Sequence, residues 1–206
     1  MAESNDLTIL KGRTFTLVLR WETTPIVYKT ITAIEQSAPA RLTVPGHGCV
    51  NGWRAAVTGA KGMTEINAEA NKVRSADYQP VTVVDANTIE FNELDASGFK
   101  AYVSGGFLQY LTPVDLTGYT GRMKIKDKVG GTVLLSSSAP DAPLNVIDIA
   151  VNNTAKTITL TVHASATTDI RWSRGVYDLE MVSSDLEPVV TRLISGKVSV
   201  VDEVTT

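Results

Sequence analysis

The sequence predicts an all-β protein built from short strands arranged as sandwiches or barrels, and three observations carry that prediction. Apolar and polar residues alternate with period two over many short runs, turn residues separate those runs, and helical periodicity is scarce. In residues 14–21, Phe15, Leu17, Leu19 and Trp21 fall on one face, and Thr14, Thr16, Val18 and Arg20 on the other. Successive side chains of a strand point to opposite faces, so this is the signature of a half-buried strand. Thr157–Val162 repeats it, with Ile158, Leu160 and Val162 inward and three threonines outward.

Further β-branched runs lie at 31–34, 81–84, 132–135, 146–149, 176–181, 189–194 and 197–201. Turn signals fall between runs: Gly46-His47-Gly48, Asp95-Ala96-Ser97-Gly98, Gly105-Gly106, Gly130-Gly131 and Asn152-Asn153. Two segments have room for short helices. Residues 64–75 form one, weakened by Asn67 and Asn71, and residues 164–170 form a single turn with Ser165 as its cap. Neither carries a long apolar stripe.

At 206 residues the chain is long enough for one large domain or two small ones, each with its own core. Apolar residues make up 43% and charged residues 20%, ordinary proportions for a globular protein. The net charge of -3 is spread in both signs, so no basic face is expected and nucleic acid is not an expected partner. No apolar run approaches the ~18 residues of a membrane span, so no membrane partner is expected. Residues 1–6 are polar and acidic and lack the pattern of a secretory signal. One cysteine, Cys49, cannot form an internal disulfide, which fits synthesis in a reducing cytoplasm.

Two sequence patterns are interleaved. The outer one runs from Leu7-Thr8-Ile9-Leu10-Lys11-Gly12-Arg13-Thr14-Phe15 to Asp115-Leu116-Thr117-Gly118-Tyr119-Thr120-Gly121-Arg122-Met123-Lys124-Ile125. It finishes with Gly175-Val176-Tyr177-Asp178-Leu179-Glu180-Met181 and Thr191-Arg192-Leu193-Ile194-Ser195-Gly196-Lys197-Val198. This resembles the N-terminal β-sandwich domain of baseplate upper proteins of tailed bacteriophages. The inner pattern holds Leu42-Thr43-Val44-Pro45-Gly46-His47-Gly48, then Gly59-Ala60-Lys61-Gly62-Met63 and Ile66-Asn67, ending at Ala101-Tyr102-Val103-Ser104-Gly105-Gly106. It is similar to a small β-barrel module of phage structural proteins, related to the first catalytic-cysteine half-domain of ubiquitin-activating enzymes.

The two resemblances imply an immunoglobulin-like β-sandwich of residues 1–29 and 107–206, with a small β-barrel domain of residues 30–106 inserted in a surface turn. Such insertion is tolerated where the ends of the interrupted turn lie close together, and Gly105-Gly106 is the expected exit hinge.

The chemistry-bearing residues are few. His47 and Cys49 could form a thiolate–imidazole pair or half a metal site, but the chain has too few cysteines and histidines to complete a structural zinc. The turn reading of Gly46-His47-Gly48 accounts for His47 without chemistry. Glu90, Glu93 and Asp95 lack the alternating Asp/Asn pattern of a calcium loop. No phosphate-loop glycine pattern occurs. Arg122, Lys124, Lys126 and Lys128 alternate outward, which suits an anion or, more simply, a solvated face with Met123 and Ile125 in the core.

Among the aromatic residues, Trp21 continues the core face of its strand and Trp172 plugs the sandwich end. Trp53, near a turn of the inserted module, is the expected exposed interaction anchor. No catalytic, cofactor or metal site is expected, and the protein is not expected to be an enzyme.

The resemblance implies a virion structural protein of the tail or of the head–tail region, in the neck or baseplate, made in the host cytoplasm. Its expected partners are other virion proteins and further copies of itself in a homo-oligomeric ring or other multi-copy array. The alternatives are a capsid decoration protein and a carbohydrate- or receptor-binding module using an aromatic such as Trp53.

Overall fold

A computed structural model describes residues 3–68, 73–137 and 146–202. It is nearly all β, a sandwich-type fold of several sheets. The chain divides into a discontinuous unit, Met1–Trp21 with Asp115–Thr206, and an inserted unit, Glu22–Val114. The discontinuous unit begins with β1 (Glu3–Ser4), β2 (Leu7–Leu10) and β3 (Phe15–Leu19). The inserted unit holds β4 (Glu22–Thr30), β5 (Ala33–Ile34), β6 (Ala40–Thr43), β7 (Arg54–Thr58), β8 (Gln79–Pro80), β9 (Thr82–Asp85), β10 (Thr88–Phe91) and β11 (Phe107–Pro113). The chain then returns as β12 (Thr120–Lys126), β13 (Val133–Ser136), β14 (Ile147–Asn152), β15 (Thr157–Val162), α1 (Ala164–Thr168), β16 (Arg174–Val182) and β17 (Val190–Val201).

The unit boundaries differ from the expected 29/30 and 106/107. Residues 22–29 and 107–114 belong to the inserted unit, because β4 and β11 pair antiparallel with each other from Thr30 opposite Phe107 to Glu22 opposite Pro113. The two ends of the insert are therefore brought together by its own strand pair. Gly105-Gly106 is not the exit. It is a close approach inside the insert, where a Cβ on Gly106 would stand 2.9 Å from the Ala60 amide nitrogen.

In the discontinuous unit, β17, β16, β12 and β13 form an antiparallel ladder, and β1 and β2 both run parallel to β17 along its free edge. Between β1 and β2 the chain passes over Gly196. The Asn5 amide donates to the Ser195 carbonyl at 2.9 Å, and the Lys197 amide donates to Asp6 Oδ1 at 2.9 Å. A Cβ at Gly196 would come within 2.3 Å of the Asn5 carbonyl oxygen, so glycine is required. Because β16 pairs with β17 straight through Gly196, opposite Tyr177, the runs expected at 189–194 and 197–201 are one twelve-residue strand.

The second sheet, β14-β15-β3, is antiparallel and packs on the first through β12 and β14, where Gly121 leaves room for Ile149. Met123, Ile125, Leu179, Met181, Ile194 and Val198 of one sheet and Ile147, Ile158, Leu160 and Val162 of the other are buried. Each such aliphatic side chain stabilises the fold by roughly 1.5–3 kcal/mol relative to exposure. On β3, at the sheet edge, Phe15, Leu17 and Leu19 are half-buried as the alternation predicts.

The inserted unit is two four-stranded sheets, β5-β6-β10-β9 and β4-β11-β7-β8. No closed barrel forms among the described residues, so the expected barrel is corrected. The edge strands β5 and β8 have two residues each, too little backbone to carry one ladder into the next. Its core holds Leu42, Val44, Trp53, Met63, Ile89, Leu108 and Tyr110.

Helix is as scarce as expected. The 64–75 segment shows only 3-10 turns at Thr64–Ile66 and Ser75–Asp77, and its residues 69–72 lie outside the described ones. The turn after His163 is α1, but His163 rather than Ser165 occupies the cap position, without a side-chain cap bond.

Candidate functional site

The outer face of β12, β16 and β17 in the discontinuous unit carries an ordered array of charged side chains. Alternation puts Met123, Ile125, Tyr177, Leu179 and Met181 inward, so Arg122, Lys124, Lys126, Val176, Asp178 and Glu180 stand on the opposite face. Register then sets the cross-strand rows: Arg122 beside Glu180 beside Arg192, Lys124 beside Asp178 beside Ser195, and Lys126 beside Val176 beside Lys197.

Two ion pairs link these strands, one within a row from Arg122 Nε to Glu180 Oε2 at 2.7 Å and one between rows from Arg192 Nε to Asp178 Oδ1 at 3.5 Å. Exposed pairs of this kind contribute about 0.2–1 kcal/mol each, so their effect is to order charge on the face rather than to hold the fold. The face floors an open groove of approximately 850 Å³ that reaches Val129 and Gly130 in the β12–β13 turn. Lys128 lies in that turn rather than on the strand.

At the other end of β16 and β17 the hairpin tip carries an apolar side chain that no periodicity in the sequence marks. Leu186 is fully exposed between Asp185 and Glu187. The only signal for it in the sequence is a leucine set among turn-forming and acidic residues, Ser183-Ser184-Asp185-Leu186-Glu187-Pro188. A second exposed patch lies on β4 and β11 of the inserted unit, where Tyr28 and Phe107 meet edge to face with ring centroids 6.3 Å apart and Ile26 is close by in register.

Trp53 is not an exposed anchor. It is 0% exposed, packed in the core of the inserted unit, and its indole N–H donates to the Leu111 carbonyl at 3.1 Å. A turn position gives no local hint of this, because the carbonyl that satisfies the indole lies 58 residues further along the chain. Trp21 is half-buried with its ring edge-on to Tyr119 at 5.4 Å, and Trp172 is half-buried.

His47 and Cys49 are joined, but not as a reactive pair. The Cys49 amide donates to His47 Nδ1 at 3.0 Å, and Nε2 faces the Asp85 carbonyl at 2.8 Å, which fixes the tautomer with hydrogen on Nε2. The Tyr110 hydroxyl donates to the His47 carbonyl. Every polar atom of the imidazole is thus spent on the backbone. Burial pushes the Cys49 thiol up to about 12, the opposite of an activated thiolate. Burial also pushes the Tyr110 phenol up to about 12, with the charge of Cys49 a smaller cause.

The acidic residues are engaged separately. Glu90 Oε1 accepts from Arg41 Nη2 at 2.5 Å and Nε at 2.8 Å, across β10 and β6. Asp95 Oδ1 accepts from the Ser97 hydroxyl at 2.6 Å and its amide at 2.9 Å, and these bonds hold its carboxyl below the usual range. Among the described residues no three of His, Cys, Asp and Glu gather with metal-ligand spacing. No described helix is long and apolar enough to cross a membrane. No protein-family model matches this chain, and no curated protein matches it either.

Proposed function

We propose that the chain is a structural component of a tailed-bacteriophage particle, in the tail or head–tail region, acting through protein–protein assembly with other virion proteins and further copies of itself. The observation that carries this reading is the outward display of ordered β surface. One unit presents a charge-ordered sheet face with an open groove and a hairpin whose leucine stands in water. The other unit presents an aromatic patch on β4, an edge strand. Flat sheet faces, open edges and exposed apolar tips suit repeated symmetric association. The interleaved motifs similar to phage β modules supply the particle class.

The receptor-binding alternative loses Trp53 as its aromatic anchor, because that residue is buried. Mass spectrometry of purified particles of the encoding phage tests the proposal. We expect the chain among the virion proteins at roughly a few to a dozen copies, as suits a tail ring of closed cyclic symmetry. Hundreds of copies would transfer it to capsid decoration, and absence from the particles would remove the structural reading.

A further inference from the structure

We infer that the β16–β17 hairpin tip of one copy docks into the groove on the outer face of β12, β16 and β17 of another, a head-to-tail contact of the chain with itself. This rests on the assembly reading above and names the surfaces that would serve it.

The tip is built to hold its leucine outward. The Ser183 amide donates to the Val189 carbonyl at 3.0 Å, and the Val189 amide donates to Ser183 Oγ at 2.9 Å. The Ser183 hydroxyl in turn donates to Asp185 Oδ2 at 2.7 Å. These bonds fasten the neck of the loop, so Leu186 is held in water with no neighbour covering it. A leucine left in water forgoes the free energy of its burial, and a partner surface would recover part of it. Asp185 and Glu187 flank the leucine, so the tip is apolar at its apex and negative at its sides.

The groove is the complement. Four basic side chains, Arg122, Lys124, Lys126 and Arg192, line it against two acidic ones, Asp178 and Glu180. The face is therefore net positive on a chain whose net charge is -3. At its far rim the β12–β13 turn lifts Val129 into solvent, 91% exposed. Gly130 at φ +73° and the Gly131 amide bonded to the Lys128 carbonyl at 2.9 Å hold that turn. An apolar knob among negative charges thus matches a positive groove with an apolar rim.

A copy cannot satisfy this contact alone. The groove runs back along β16 toward Val176, while the strands carry the tip the other way. At about 3.3 Å per residue the tip stands ~20 Å beyond the Lys126–Val176 row. Two different surfaces meeting between copies make a heterologous contact, which closes into a ring or runs on as a filament. A single tip in a groove is small beside a standard interface, so the contact is weak and sensitive to salt.

The test uses the full chain in sedimentation velocity at high protein concentration and low ionic strength, with circular dichroism to verify folding. The tip variant is Leu186→Ser with Glu187→Gln, and the groove variant is Lys126→Glu with Val129→Asp. Leu186, Glu187 and Val129 are exposed, and Lys126 is half-buried on the outer face of β12, so both variants should fold. The unaltered chain is expected to form species larger than a dimer that dissolve as salt rises. Each variant alone is expected to lose them, with self-association weakened by roughly tenfold or more. Mixed together, the variants retain one intact tip and one intact groove, and are expected to form a one-to-one dimer that grows no further.

A monomeric unaltered chain, variants that associate like it, or a mixture that stays monomeric would overturn the inference. Particle mass spectrometry reads the structural role independently. A chain found in virions but showing no tip–groove coupling keeps that role and loses this contact.

Discussion

Trp53 shows how far the environment of one residue can depart from what its neighbours in sequence suggest. It fills the core of the inserted unit and spends its only side-chain donor on Leu111. Trp53→Ala should destabilise the protein by about 3–5 kcal/mol, through lost transfer energy and a cavity, and chemical denaturation measures it directly. A loss below about 1 kcal/mol would mean that the indole is not packed as described.

Cys49 and Tyr110 add a pH dependence with a definite sign. Each is raised to about 12 by burial, from ordinary values of 9.0 and 10.0. An acid whose folded pKa is raised keeps its full contribution below the unfolded value and loses it as pH climbs toward the folded one. Stability should therefore hold up to about pH 9 and fall between there and 12, with Tyr110→Phe flattening the fall above pH 10. Urea midpoints measured across that range check it. Cys49 should also resist thiol reagents in the native protein at neutral pH and react fully after denaturation.

At the scale of elements, turns and crossings decide what the strands can do. His47 works as a clip, because its ring ties the loop after β6 to the β9–β10 turn and its carbonyl receives Tyr110. The Val44 amide adds a bond to the Asn87 carbonyl at 2.7 Å, and the Gly46 amide bonds Asn87 Oδ1 at 3.1 Å. At the return to the discontinuous unit, Asp115 Oδ1 accepts the Thr117 hydroxyl at 2.9 Å and amide at 3.2 Å, which holds its carboxyl below the usual range. A lowered carboxyl contributes above its unfolded pKa and ceases to as pH falls through its folded one. Asp115→Asn should therefore make stability less dependent on pH below about 4, as acid titration followed by circular dichroism would read.

Gly196 governs a longer element. A side chain there must displace the Asn5 backbone, so Gly196→Ala should detach β1 and β2 from β17 and leave the β16–β17 hairpin in place. Hydrogen exchange resolved by residue should show lost protection at Leu7–Leu10 and retained protection at Arg174–Val182. Equal loss across both would contradict the assignment.

For the whole molecule, the decisive feature is that the inserted unit is closed by β4 and β11. Directly opposed residues of an antiparallel pair have Cα atoms about 4.5–5.5 Å apart, so Glu22 and Pro113 bring the ends of the insert together. Replacing residues 22–114 with a short Gly-Ser linker should leave the discontinuous unit folded, and residues 22–114 expressed alone should fold as well. Circular dichroism and dispersed amide spectra of the two pieces test this. Failure of both would show that the two sets of sheets are one cooperative structure.

The alternating runs were legible from local pattern because a strand with one face in the core must place apolar residues at every second position. Residues 157–162 and 120–126 follow that rule, and the inward Met123 and Ile125 with outward Arg122, Lys124 and Lys126 came with it. Less legible were the features set by distant partners. The insert boundaries depend on β4 finding β11, the docking of β1 and β2 on β17 depends on Gly196 admitting Asn5, and the burial of Trp53 depends on Leu111.

The sequence by itself therefore determined the all-β class, the faces of the strands and the places where the chain turns, since these follow from steric and hydrophobic preferences over a few neighbouring residues. Only the tertiary structure decided how strands group into sheets, which aromatic side chains are covered, and that Leu186 stands alone in solvent. Those outcomes are fixed by pairing and packing between segments tens of residues apart, and no local periodicity records them.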